Sequence, residues 1–285
     1  MTDISALLAD LVAESASADA LVAELPEERW TTATPAEGWT IAHQVAHLAW
    51  TDRQAALAAT DEEAFADTVK QAQANPTGFV DEAAEAWSKR DPAELLREWR
   101  QSRNDLAQAL ANVPSGQKLP WFGPPMAPAS MATARIMETW AHGQDIADAL
   151  KVRREPTARL RHVAHIGVRA MGFAFQIHGL PKPTEPVRVE LTGPGGEVWT
   201  WNDDAAENRI TAPALDFCFL VTQRRHLDDL DITAAGPVAT EFVQVAQAFA
   251  GLPGAGRKPG SSRDLPHWQC IGLLRRSFRR GPRDA

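Results

Sequence analysis

The stretch ARIMETWAHGQDIADAL, residues 134–150, decides the fold and the chemistry together. It holds few helix breakers and reads as one long helix, on which Glu138 and His142, four residues apart, fall one turn above the other on a single face. Both can then reach one point, which is the spacing of a metal-ligand pair. A second stretch, WTIAHQVAHLAWTD at residues 39–52, carries His47 and brings a third donor from a neighbouring helix. Two imidazoles and a carboxylate leave an open position on a divalent ion for water or substrate, as catalytic sites do. Taken alone, a Glu and a His at this spacing also describe an ordinary exposed helix pair. His47 is what favours the metal reading.

Around these stretches the chain has the composition of an ordinary globular protein: 44% hydrophobic and 23% charged residues in 285, enough for one large or two ordinary domains. No apolar run approaches the roughly 20 residues that span a bilayer. The first fifteen residues, MTDISALLADLVAES, carry acids where a signal peptide is basic. A cytoplasmic protein without membrane contact is expected. Two cysteines, Cys218 and Cys270, neither in a CxxC pair, provide no disulfide framework and no thiolate cage. A net charge of -8 argues against nucleic acid as a partner.

In chain order, residues 5–25 place Leu7, Leu8, Leu11, Val12, Ala18, Leu21, Val22 and Leu25 at helical spacing, with Pro26 as a stop. Residues 30–38 are rich in turn formers. Thr40 then caps a helix over residues 41–59, striped by Ile41, Val45, Leu48 and Ala49, with His43 and His47 one turn apart. NPTG at residues 75–78 breaks the next stretch, and residues 80–89 and 92–113 read as further helices. The proline-rich residues 116–128 connect to the helix of Glu138 and His142. Four long helices with breakers between them make an up-and-down bundle, whose core is where inward-facing Glu and His ligands are built.

The pairing of GWTIAHQVAHLAW with METWAHGQDIADAL resembles the DinB-like metal-binding four-helix bundles, and among them the N-terminal domain of the mycothiol-dependent maleylpyruvate isomerase family. The resemblance spans roughly the first 150 residues and is nearest to metal-binding members of unassigned activity. It implies a divalent metal, usually zinc, held by His47, Glu138 and His142. His43 answers to no ligand of the family and is expected beside the site. The donor set by itself also suits nickel, iron or manganese.

Beyond the bundle the texture changes. Residues 160–177 form another helical stripe, and VRVEL at 187–191 and VWTW at 198–201 flank GPGG as a β-hairpin. Ile210 marks a short strand, residues 215–225 a helix with Cys218 buried, 230–234 a strand and 238–249 a helix. The expected organisation is α+β: a bundle over residues 1–152, a smaller α+β domain over 153–252 and a basic, flexible tail over 253–285. From Gly251 to Ala285 eight Lys and Arg stand against two Asp, so this segment is at +6 beside a remainder at -14.

The α+β domain also resembles its counterpart in the isomerase family, where an arginine reaches toward the cleft between domains; the match here is Arg224 in VTQRRH. Its planar fork suits a carboxylate, although an arginine at that place also serves to cap a helix C-terminus. Asp145, on a face shifted from Glu138, is expected to orient a ligand or water. Trp50 and Trp140 fit core packing or substrate stacking. A zinc ion with an open position activates water or holds a thiol as its thiolate, and the resemblance supplies that thiol from outside as mycothiol. The expected activity is thiol transfer to, or thiol-assisted isomerisation of, an electrophilic small molecule by a monomer or homodimer. A metal-dependent hydrolase and a non-catalytic metal-binding protein are the alternatives.

Overall fold

The structure, a computed structural model, describes residues 4–251, 253, 254 and 256–261. The N-terminal half is helical. Helix α1 (Ile4–Asp19) ends earlier than its apolar stripe: the amides of Leu21 and Val22 bond back to Ala18 and Asp19, three residues away, and tighten the last turn out of the α-helix. After a short 3₁₀ turn at Glu27–Arg29 comes α2 (Ile41–Thr60), whose first turn is closed by the Thr40 amide donating to His43 Nδ1. Helices α3 (Glu62–Ala74) and α4 (Phe79–Ser88) follow. Helix α5 (Pro92–Asn112) starts with Asp91 accepting the Glu94 amide and proline at its first position, where no amide is needed. Helix α6 (Pro128–Leu150) starts on proline as well and stops at Lys151, which takes the left-handed conformation at φ 56°.

Helix α1 packs on α5 and α6, and α2 packs on the same two, so the four long helices close a ring in the order α1, α5, α2, α6. Helices α3 and α4 lie against α2. Leu95, Trp99, Val45, Leu48 and Ile146 fill one end of the bundle, and Leu7, Leu11, Leu106, Leu110 and Ile136 the other. At Gly143 an added Cβ would come 3.2 Å from the Ala18 Cβ, so α1 and α6 approach closely because there is no side chain there.

The C-terminal half begins with α7 (Leu160–Arg169) and α8 (Met171–Ile177), which split at Ala170 where a single helical stripe was expected. A sheet follows, of β1 (Val187–Thr192), β2 (Val198–Trp201), β3 (Asn208–Pro213) and β4 (Thr233–Ala235), in the order β2-β1-β3-β4. The β1–β2 hairpin is antiparallel with Val189 opposite Trp201, and β1 and β3 run parallel with Val189 opposite Ile210. Helices α9 (Ala214–Val221) and α10 (Pro237–Val245) complete an α+β layer around Phe217, Cys218 and Phe242.

This second core does not stop at the second half. Met137, Trp140 and Ala141 of α6 belong to it, while Ile136 and Ile146 of the same helix belong to the bundle. A helix apolar on several sides is buried on several sides. Ion pairs reinforce the joint: Glu14 of α1, 1% exposed, accepts from Arg154 and Arg159, and Asp148 of α6 accepts from both terminal nitrogens of Arg225 at 2.7 and 2.9 Å. No helix of the described residues is long and apolar enough to cross a membrane. The expected tail lies outside the described residues from position 262 on, as does Cys270; Arg257 is described and packs onto the body.

Candidate metal centre

Helices α2 and α6 bring His47, Glu138 and His142 together, with one ligand atom from each lying within 4.8 Å of the others. Nε2 of His47 is 3.3 Å from Glu138 Oε2, and Nε2 of His142 is 3.2 Å from the same oxygen. Donor atoms on a tetrahedral ion with bonds of about 2.0–2.1 Å sit about 3.3 Å apart, so the spacing accommodates such an ion.

The tautomer of His142 can be followed atom by atom. The Thr34 hydroxyl donates to the Trp39 carbonyl at 2.9 Å, so its oxygen accepts the Gln44 amide at 2.9 Å. The Gln44 carbonyl oxygen then faces His142 Nδ1 at 2.5 Å and accepts a hydrogen bond from it, so the ring proton sits on Nδ1. Nε2 of a neutral His142 is left with a lone pair pointed at a carboxylate oxygen. Two acceptors at 3.2 Å call for a cation between them or a proton on the ring. Burial first, and the charge of His47 next, depress His142 to about 4 against the pull of Glu138, so a proton is not held there at neutral pH. Burial works to raise the Glu138 carboxyl, but the adjoining His142 and His47 rings outweigh it and hold the group well below the usual carboxylate range. One carboxylate and neutral imidazole suit a divalent cation.

His43, one turn before His47, turns the other way. Its Nε2 lies 2.7 Å from Glu85 of α4 and its Nδ1 serves the start of α2. It stays beside the site, as expected, and reaches no ligand. Trp39 covers the cluster, its ring centroid 6.1, 5.5 and 5.9 Å from those of His43, His47 and His142. Neither Trp39 nor Gln44 is singled out by sequence. The available signal was that Gln44 stands three residues before His47 and therefore on nearly the same face of α2.

Arg224 and Asp145, each expected to act on a substrate or ligand, bind one another: Arg224 Nη2 donates to Asp145 Oδ2 at 2.7 Å. Arg224 Nη1 also donates to the Thr222 carbonyl at the end of α9, so the helix-capping reading of this arginine is met at the same time. Asp145, 1% exposed in its side chain, takes a second arginine, Arg257, at 2.8 Å. Its hydrogen bonds thus go to arginines rather than to the histidines. Arg224 is near enough for its charge to weigh on His142. Trp50 packs on Phe79 and Phe122, and Trp140 on Phe219.

Comparison with known proteins shows what the chain is similar to. The family model "Mycothiol maleylpyruvate isomerase N-terminal domain" matches residues 11–147, and the model "Wyosine base formation" matches residues 183–235. Two curated proteins, from two strains of Mycobacterium tuberculosis and both called uncharacterized, are each 56% identical to the chain over 257 residues, 90% of this chain and 100% of theirs. The crystal structures of a mycothiol-dependent maleylpyruvate isomerase and of a mutant of it cover 83% of this chain and 96% of their own, with TM-scores of 0.53 and 0.56 at 15% identity. At that identity the likeness shows a shared fold.

Proposed function

Because the chain belongs to the DinB-like mycothiol maleylpyruvate isomerase family, we propose that it is a metal-dependent enzyme that uses a low-molecular-weight thiol such as mycothiol to attack an electrophilic small molecule. His47, Glu138 and His142 hold the ion, and zinc is the metal this reading assigns. When bound, such an ion supplies a lowered pKa to a thiol or water beside it, so that a strong nucleophile exists near neutral pH.

The observation that carries the reading is the lone pair of His142 Nε2 set against the Glu138 carboxylate, with Gln44 holding the opposite ring nitrogen. Glu138 contributes the negative charge that the ion requires, and Gln44 keeps the His142 ring from rotating. Trp39 covers the histidines and limits access of water. Arg224 and Arg257 share the single carboxylate of Asp145, so positive charge remains beside the ligands to draw an acidic group of the substrate or thiol. Arg224 is the residue assigned to that acidic group. The thiol in this reading is an external one, and Cys218, the cysteine among the described residues, is fully buried in the second core. The protein works in the cytoplasm as a monomer or homodimer.

Elemental mass spectrometry of protein purified without chelator tests the site. About one zinc per chain, lost in His47→Ala, Glu138→Ala and His142→Ala while the helical circular dichroism persists, is the expected result; full metal in all three variants would refute it. Conversion of an electrophile such as maleylpyruvate with and without mycothiol then tests the chemistry. Turnover without any thiol would turn the reading to hydrolysis by activated water.

A further inference from the structure

Arg257 lies beyond α10, past both halves of the molecule, yet it is tied to two places that define the metal centre. Its Nη2 donates to Asp145 Oδ1 at 2.8 Å, and its Nη1 donates to the carbonyl of Pro35. Asp145 stands three residues after His142 on α6. Pro35 belongs to the loop that leads into α2.

That loop is a closed piece of structure. Ala33 pairs with Thr40, the amide and hydroxyl of Thr34 both donate to the Trp39 carbonyl, and the Trp39 amide donates to Ala36 across a turn in which Gly38 takes φ 77°. Holding Pro35 therefore holds Thr34 and Trp39 as well. Thr34 accepts from Gln44, and Gln44 fixes the ring of His142. Arg257 thus spans a circuit that starts on α6, crosses to the loop and returns to α6 at a ligand.

We propose that Arg257 is a positioning residue of the metal centre, which sets the orientation of His142 and the placement of Trp39 by clamping this loop to Asp145. The proposal rests on the metal reading given above. An arginine suits the position because its rigid fork offers separate nitrogens to the two acceptors, whereas a lysine has a single ammonium to place. Gly260 supports the same segment, its amide donating to the Asp229 carboxylate at 2.9 Å.

The test uses the full chain loaded with cobalt(II), in wild type, Arg257→Gln and Arg257→Lys. Cobalt affinity is measured by competition with a chelator, the visible absorption band reports ligand geometry, and amide hydrogen exchange is followed across residues 31–40. Arg257→Gln is expected to keep one cobalt per chain with a shifted band, an affinity lower by about tenfold and faster exchange at Thr34 and Trp39. Arg257→Lys, which keeps the charge on Asp145 but not the second tie, is expected to fall between them. If wild type binds cobalt and Arg257→Gln matches it in affinity and band, the proposal is overturned, even if exchange quickens, because the tie is then merely structural. If wild type binds no cobalt, the metal reading itself fails and takes this one with it.

Discussion

His142 Nδ1 and Gln44 Oε1, 98 residues apart in sequence, lie 2.5 Å from one another, and this bond determines which ring nitrogen of His142 is free. Removing the acceptor frees the ring to rotate. Gln44→Leu is expected to lower metal affinity by about 10–100-fold without loss of helix. Gln44→Glu, which keeps an oxygen for Nδ1, is expected to lose less. Competition against a chromophoric chelator measures both.

Acid should weaken the metal-free fold in a defined window. His142 takes up its proton near pH 4 in the folded chain and near its ordinary 6.5 when unfolded, so the unfolded state binds more protons between those values. Stability is then fully present above about 6.5 and declines as the pH falls toward about 4, with Glu138, also depressed, adding to the loss below 4.5. Urea midpoints taken from pH 7 to 4 should fall across this range, and His142→Asn should flatten part of the slope.

A buried network joining α2, α5 and α6 should be costly to break. Asp52 accepts Arg135 Nε at 2.8 Å and the Trp99 ring amine at 3.2 Å, and the Asp52 and Arg135 residues are each 1% exposed. Asp52→Ala leaves a guanidinium without its counter-charge in the bundle core, at a cost of about 3–5 kcal/mol. Urea unfolding followed at 222 nm measures it; a change under 1 kcal/mol would contradict this account of the core.

Cys218 should behave as an inert thiol. Burial pushes it well above its usual range, and its hydrogen donates to the Leu160 carbonyl. In a Cys270→Ser background, a disulfide reagent at pH 8 is expected to titrate no thiol in the folded protein and one after denaturation.

Helices α2 and α6, and the shared face of Glu138 and His142, were legible because an apolar stripe at helical period fixes which side chains lie together, and that pair needs only that. The β1–β2 hairpin was legible from its glycines. Gln44, Trp39 and Arg257 were not, because each acts through a partner about 100 residues or more away or on another helix, and nothing in local spacing encodes such a meeting. Arg224 was found, but its pairing with Asp145 was not, since each was read against an external ligand. The break at Ala170 escaped for a different reason: α7 and α8 bury residues of one continuous stripe, and only the packing of the two helices against different neighbours separates them.

Helix α6 gives one side to the bundle and another, through Met137, Trp140 and Ala141, to the core that residues 160–248 complete. During synthesis the first 150 residues therefore emerge with a bare apolar strip on the helix that carries Glu138 and His142. A chain cut after Leu150 should be sticky and need a chaperone or a supplied second half, and adding residues 151–261 in trans should clear it. The finished molecule should melt in a single step, because the second half lacks part of its core without α6, and buried Glu14 and Asp148 of the first half lack their arginines without the second.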